Sequence, residues 1–284
     1  MRTETLKVPG AELRYDVREP EQPSDAPPLL VIGSPMAASG FGTLAGHFPD
    51  RTVVTYDPRG AERSVKDDST TTSTPDEHAD DLHRVIDALG AGPVDIFATS
   101  GGAVNALALV ARHPEQVRTL VAHEPPLAQL LPDRDEALAA TKGMEATYRQ
   151  SGFGPAMATF IALVDHRGPI PAGFPQSPPD PAMFGLPAED DGSRDDVLLH
   201  QNLVSCTHYQ PDVDALRAAP TRIVVAVGAA SEGQMARRGG EGIAERLGTD
   251  VVIFPSGHGG FLGDEYGMPG EPEAFAAKLR EVLA

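Results

Sequence analysis

The stretch Val94-Asp95-Ile96-Phe97-Ala98-Thr99-Ser100-Gly101-Gly102-Ala103-Val104-Asn105-Ala106-Leu107-Ala108-Leu109-Val110-Ala111-Arg112 decides how the rest of the chain is read. Its first five residues form a short apolar run, the composition of a strand buried on both faces of a parallel sheet. Thr99-Ser100-Gly101-Gly102 turns the chain, and Ala103–Arg112 follows with the composition of a buried helix. A strand that turns directly into a helix strains the residue at the turn and exposes its side chain. That residue is Ser100. The small residues two before and two after it, Ala98 and Gly102, let helix and sheet approach closely. Ser-Gly also occurs at such turns for packing alone, so the surroundings must carry the assignment.

Outward from this unit the same pattern recurs. Leu29–Ile32, Val53–Tyr56, Thr119–Ala122, Ile223–Val227 and Val251–Phe254 are further runs rich in Val, Ile and Leu. Leu6–Val8 and Leu13–Val17, separated by Pro9-Gly10, read as a hairpin. Thr74-Pro75-Asp76-Glu77 is a capping box with proline at the first helical position. Leu82, Val85, Ile86 and Leu89 then form one apolar stripe at helical spacing. A helix over Pro272–Leu283 closes the chain. Strands alternating with helices predict an α/β fold with a mostly parallel central sheet and right-handed crossovers. The alternation breaks between about Pro125 and Pro211, where helices are expected over Glu136–Gln150, Pro155–Val164 and Arg194–Ser205 around a Pro/Gly-rich stretch, 168–192. The expected organisation is therefore a core of residues 1–124 and 212–284 with a helical cap, or lid, of residues 125–211. Met144, Tyr148, Phe153, Met157, Phe160 and Phe174 either line a substrate pocket there or form the core of the cap.

Composition narrows the function. The chain has 284 residues, enough for one large core and a smaller appended domain. A formal net charge of −18 argues against nucleic acid or anionic lipid as a partner, since either needs clustered Lys and Arg. The single cysteine, Cys206, allows no internal disulfide. No apolar run approaches the length of a membrane span, and Met1–Lys7 has no secretory character, so a cytoplasmic protein is expected. No Gly-rich phosphate-binding fingerprint follows a strand, so no nucleotide cofactor is expected. His113 and His123 lack the spacing and neighbours of metal ligands and read as surface or turn histidines, so no metal is expected either.

In open α/β sheets ligands bind beyond the carboxyl ends of the strands, and the residues there carry a resemblance. Ala98-Thr99-Ser100-Gly101-Gly102 is similar to the nucleophile elbow of the α/β-hydrolase superfamily, with alanine in place of the first glycine. Gly33-Ser34-Pro35-Met36, after the run Leu29–Ile32, resembles that family's oxyanion loop. Ile32 stands where the family often has histidine. Asp57-Pro58-Arg59-Gly60-Ala61-Glu62-Arg63-Ser64 resembles a structural segment of the same family, with Glu62 in place of its second glycine. His258, flanked by glycines after the last strand and before the final helix, stands where such hydrolases carry their general base.

The resemblance implies an α/β-hydrolase fold, Ser100 as nucleophile, His258 as base, and an oxyanion hole of the Ser34 and Gly101 N–H groups. The family's usual acid position reads Gly228-Ala229-Ala230-Ser231-Glu232, with no aspartate. A second acid position, used by haloalkane dehalogenases and zearalenone lactonases, matches Glu124, which is favoured over Glu232 as the third catalytic residue. Asp264 lies six residues beyond His258 and is discounted. A serine nucleophile implies hydrolysis of a small-molecule carboxylic ester or lactone. A cofactor-free perhydrolase or haloperoxidase, and a non-catalytic binding protein on the same fold, are the alternatives.

Overall fold

The computed structural model describes residues 1–187, 189–267 and 269–284. Nine strands form one sheet: β1 (Arg2–Val8), β2 (Ala11–Arg18), β3 (Leu29–Ile32), β4 (Val53–Asp57), β5 (Val65–Lys66), β6 (Val94–Thr99), β7 (Val117–His123), β8 (Arg222–Gly228) and β9 (Val252–Phe254). Their order is β1-β2-β4-β3-β6-β7-β8-β9, with β5 paired to β2. β1 and β2 form the expected antiparallel hairpin, β2 runs antiparallel to β4, and every pair from β4 to β9 is parallel. This is the α/β-hydrolase fold.

The helices are α1 (Gly42–Gly46), α2 (Pro75–Leu89), α3 (Gly101–Arg112), α4 (Arg134–Ser151), α5 (Phe153–Asp165), α6 (Leu203–Thr207), α7 (Val213–Ala218), α8 (Met235–Leu247) and α9 (Pro272–Leu283). α2 starts where its capping box places it: Glu77 N donates to Thr74 Oγ1 and Thr74 N donates to Glu77 Oε2 at 2.8 Å. Its stripe of Leu82, Val85 and Ile86 is buried in one core with Ile96, Ala98, Leu107 and Ile243. On the other face of the sheet, Phe97 packs with Phe254, Phe275 and Leu279. Alternate residues of β6 thus enter opposite cores, which is why the run is apolar throughout.

Between β7 and β8 a third apolar cluster gathers Met144, Tyr148, Leu163, Leu199 and Leu203, joined by Met235 of α8. Met144 and Tyr148 are buried within it, and Phe153, Met157, Phe160 and Phe174 pack half-buried against it. The helix expected over Arg194–Ser205 forms only from Val197, as a π-helix to Asn202 that passes into α6. Asp196 sets this start by accepting from the N–H groups of Leu198 and Leu199 at 3.0 and 2.7 Å. Asn202 Nδ2 donates to Val197 O, five residues back, supporting the wider turn. Arg194 pairs with Asp190 in the chain before it. Residues 168–192, of which position 188 lies outside the described residues, leave the body at a fixed point. Gly168 N donates to Gly233 O at 2.9 Å, and Arg167 bridges to Gln234. No helix of the described residues is long and apolar enough to cross a membrane.

A buried ion pair ties the segment after β4 to α2. Arg59 Nε and Nη2 both donate to the Asp81 carboxylate at 2.7 Å, and both side chains are buried. Removing one partner leaves the other charge buried alone, a cost of roughly 3–5 kcal/mol. Arg59→Ala is therefore expected to lower unfolding stability by about that amount in urea denaturation. Arg149→Ala, which removes an exposed helix pair with Glu145, is expected to cost under about 1 kcal/mol. Equal losses would show that the Arg59–Asp81 bridge has no special weight.

Candidate active site

The site lies at the carboxyl ends of β3, β6, β7, β8 and β9. Ser100 is the turn between β6 and α3, with φ 54° and ψ −130°. A non-glycine residue there is strained and is held only by its surroundings. Ser100 N donates to His123 O at 2.9 Å, and Ser100 O accepts from Ala103 N at 2.9 Å in the first turn of α3. The strain is tolerated because the flanking glycines admit other backbone. A Cβ on Gly101 would stand 2.4 Å from Ser34 O, and one on Gly102 2.7 Å from Gly33 Cα. The loop after β3 therefore lies directly against the start of α3.

That contact brings Ser34 and Gly101 together. Among the described residues neither N–H has a hydrogen-bond partner. Gly101 is the first residue of its helix, where an N–H has no intrahelical acceptor. Position 32 lacks the histidine that often braces this loop in the resembling family. Asp57, wholly buried at the end of β4, does so from the neighbouring strand: its Oδ1 accepts from Ala38 N at 3.0 Å. Arg63 Nε holds the other oxygen, Oδ2, at 2.6 Å.

Glu124 follows β7 and is also strained, with φ 48°. Instead of the solvated turn residue that its neighbouring prolines allow, it is 0% exposed. Its N–H donates to Ala226 O at 3.0 Å, Oε1 accepts from Gly228 N at 2.8 Å, and Oε2 meets His258 Nδ1 at 2.6 Å. Burial pushes the Glu124 carboxyl up. The His258 hydrogen bond, the neighbouring imidazoles and the Gly228 N–H outweigh this and hold it at about 2, so it is ionised at neutral pH. Gly228 is required for the approach: a Cβ there would be 2.8 Å from Gly257 Cα in the loop that carries His258. With Nδ1 facing Glu124, His258 Nε2 is the nitrogen left for a reacting group. The described residues include no hydrogen bond between Ser100 Oγ and His258, and such bonds commonly tighten only when substrate binds.

Glu232 is exposed, and its carbonyl oxygen accepts from Arg167 Nη1 at 2.5 Å. It takes no part in the pair with His258. Asp264 is exposed as well. His123, read from the sequence as a surface or turn histidine, is 0% exposed. β7 runs one residue further than expected, and His123, its last residue, points into the aromatic core beside Phe97, Phe254 and Phe275. Its Nδ1 lies 3.0 Å from Thr99 Oγ1, while its Nε2 is buried without a partner. His113 stacks at 3.9 Å on His83, half-buried at the end of α3. Cys206 of α6 reaches the elbow, its sulfur 3.3 Å from where a Gly101 Cβ would be. Burial pushes its thiol up to about 12, so it is un-ionised at neutral pH.

His123, Glu124 and His258 each bring one ligand-type atom within 4.8 Å of the others. An ion with ligand distances near about 2.1 Å would have to part the 2.6 Å Glu124–His258 contact. The present spacing suits a proton between them.

Burial lowers the His123 pKa from 6.5 to about 4. Between those pH values the unfolded chain holds a proton that the folded one does not, so stability falls as pH drops from 6.5 to about 4 and levels off below. The shift corresponds to roughly 3 kcal/mol. His123→Gln is expected to remove that part of the acid-side loss, read by urea denaturation at pH 7 and pH 4. The same pH dependence in both proteins would mean that His123 titrates as it does in the unfolded chain.

Comparison with known proteins agrees with the fold. A family model described as "alpha/beta hydrolase fold" matches residues 36–172. "Uncharacterized hydrolase YraK" of Bacillus subtilis (strain 168) is 31% identical over 262 residues, spanning 90% of this chain and 89% of that protein. A thermophilic esterase from Thermogutta terrifontis superposes with a TM-score of 0.69 at 19% identity, covering 100% of this chain and 98% of that one. A putative aryl esterase from Burkholderia cenocepacia superposes with a TM-score of 0.65 at 18% identity, covering 99% and 98%. With the sheet order, the strained serine and an identity of that extent all in agreement, the chain belongs to the α/β-hydrolase family of hydrolases.

Proposed function

We propose that the protein hydrolyses a small-molecule carboxylic ester or lactone through an acyl-Ser100 intermediate. The observation that carries this reading is the wholly buried Glu124 carboxylate held 2.6 Å from His258 Nδ1, on the strand beside a strained Ser100. In this reading His258 Nε2 takes the proton of Ser100 Oγ as that oxygen attacks the carbonyl carbon. Glu124 fixes the imidazole tautomer and stabilises the imidazolium. The free N–H groups of Ser34 and Gly101 receive the developing oxyanion, a contribution of roughly 3 kcal/mol per donor. His258 then protonates the leaving alkoxide. In the second half a water gives a proton to His258 Nε2 as its oxygen attacks the acyl carbon, and His258 returns that proton to Ser100 Oγ as the acyl–Oγ bond breaks. The similarity to an esterase and to a protein described as a putative aryl esterase, both of the same fold, supports a carboxylic ester as the substrate class. Residues 125–211 serve as the cap over this edge, a role supported by the approach of Cys206 to Gly101.

Fluorophosphonate labelling with peptide mapping is expected to give one stoichiometric adduct, on Ser100. Ser100→Ala is expected to abolish the adduct and lower ester turnover at least about a thousandfold with folding intact. Near-normal turnover by that variant would sink the assignment. Glu124→Gln is expected to reduce kcat by roughly 10³–10⁴-fold, while Glu232→Gln leaves it within about twofold. The opposite ranking would move the acid to the loop after β8.

A further inference from the structure

Ser100 and Glu124 occupy equivalent places: each is the first residue past the end of one of two neighbouring parallel strands, and each is strained, at φ 54° and 48°. The residues just before them, Thr99 and His123, are register partners across β6 and β7. Both are buried, and they point to the same face of the sheet as Phe97 and Val121, two residues back. Their side chains share a hydrogen bond of 3.0 Å between Thr99 Oγ1 and His123 Nδ1. The His123 carbonyl accepts from Ser100 N at 2.9 Å. The His123 ring is walled by Phe97, Phe254 and Phe275, and it stacks on His258 with centroids 5.9 Å apart at 26°. One residue thus touches the backbone of Ser100, precedes Glu124 in the chain and underlies the ring of His258.

We propose that Thr99 and His123 are a positioning pair: their side-chain hydrogen bond locks the end of β6 to the end of β7, and the His123 ring seats His258. The proposal rests on the reading of Ser100, Glu124 and His258 as the catalytic triad. A parallel ladder fixes its two strands along their length, but its last residues have fewer neighbours to hold them. A bond across the final register pair continues the ladder with side chains where the backbone of both strands turns away. The aromatic wall keeps water from competing for that bond. Neither residue touches substrate; the pair acts through where it places the groups that do. Small displacements of such groups change rate strongly, so the effect is expected in kcat and in the reactivity of Ser100, with KM little moved.

The test uses p-nitrophenyl acetate turnover and the rate of fluorophosphonate inactivation, measured well below each variant's Tm. Thr99→Val, which keeps shape and removes the hydroxyl, is expected to lower both kcat and the inactivation rate roughly 10- to 100-fold, with KM within about twofold. Thr99→Ser, which restores the hydroxyl, is expected to recover both to within about threefold. His123→Phe, which keeps a ring under His258 and loses the bond, is expected to fall by a similar factor. The double variant is expected to be no worse than the weaker single one, because the two changes remove one shared bond. Should Thr99→Val not fold, His123→Phe against wild type carries the comparison alone. If Ser100 of the wild type labels normally and Thr99→Val and His123→Phe react at the wild-type rate, the positioning pair is overturned while the triad stands. A wild type that takes no label on Ser100 overturns the triad first, and the pair with it.

Discussion

Backbone packed against backbone at the start of α3 is the constraint on which the candidate site depends. Gly101 and Gly102 stand where a single added carbon would collide with Ser34 O and Gly33 Cα. Because that space is open, the loop after β3 rests on the first helical turn, and Ser34 lies beside Gly101, the N–H groups of both having no hydrogen-bond partner among the described residues. Gly228 does the same on the other side, admitting Gly257 and with it the His258 loop. Three glycines therefore set how closely Ser100, the Ser34 and Gly101 N–H groups and His258 converge. The strain at Ser100 is maintained by this packing: its N–H is tied to β7 and its carbonyl to α3.

Electrostatics follows from that geometry. A carboxylate with no exposed surface is costly unless its lone pairs are filled. Glu124 meets the condition with one N–H from Gly228 and one ring nitrogen from His258. Asp57 solves the same problem differently, with the Ala38 N–H and the Arg63 guanidinium, and in doing so braces the loop that carries Ser34. The two buried acids sit on opposite sides of Ser100 in the strand order, one at the end of β4 and one after β7. Asp57 works through structure, while Glu124 faces an imidazole with a free nitrogen. The difference lies in the partner, since both acids are buried and hydrogen-bonded.

Much of the fold was legible because its local signals agree. The strand Leu29–Ile32 and the helices Pro75–Leu89 and Pro272–Leu283 lie where their composition, capping box and proline place them. The departures have local physical reasons. Asp196 caps its helix three residues later than the apolar pattern of 194–205 suggests, because its carboxylate takes the N–H groups of Leu198 and Leu199. His123, without the spacing or neighbours of a metal ligand, reads from the sequence as a surface or turn histidine, yet β7 holds its pairing through His123 against both Thr99 and Ala226. A signal was available in retrospect: a strand that alternates Val121, Ala122, His123 places His123 on the Phe97 face.

The sequence by itself determined the order of the elements, the strand–turn–helix unit around Ser100, and the placement of Ser100, Glu124 and His258 at three strand ends. These follow from local periodicity and turn chemistry, which act over a few residues. Tertiary structure alone decided which acid meets His258, since Glu124 and Glu232 both follow a strand, β7 and β8, and only burial and a 2.6 Å contact separate them. It also decided that Asp57 braces the loop that carries Ser34 and that Thr99 and His123 bond beneath the candidate site. Those contacts join residues from 19 to 134 positions apart. Their geometry is set by sheet register and by the space that glycines leave, neither of which is written in any short stretch of chain.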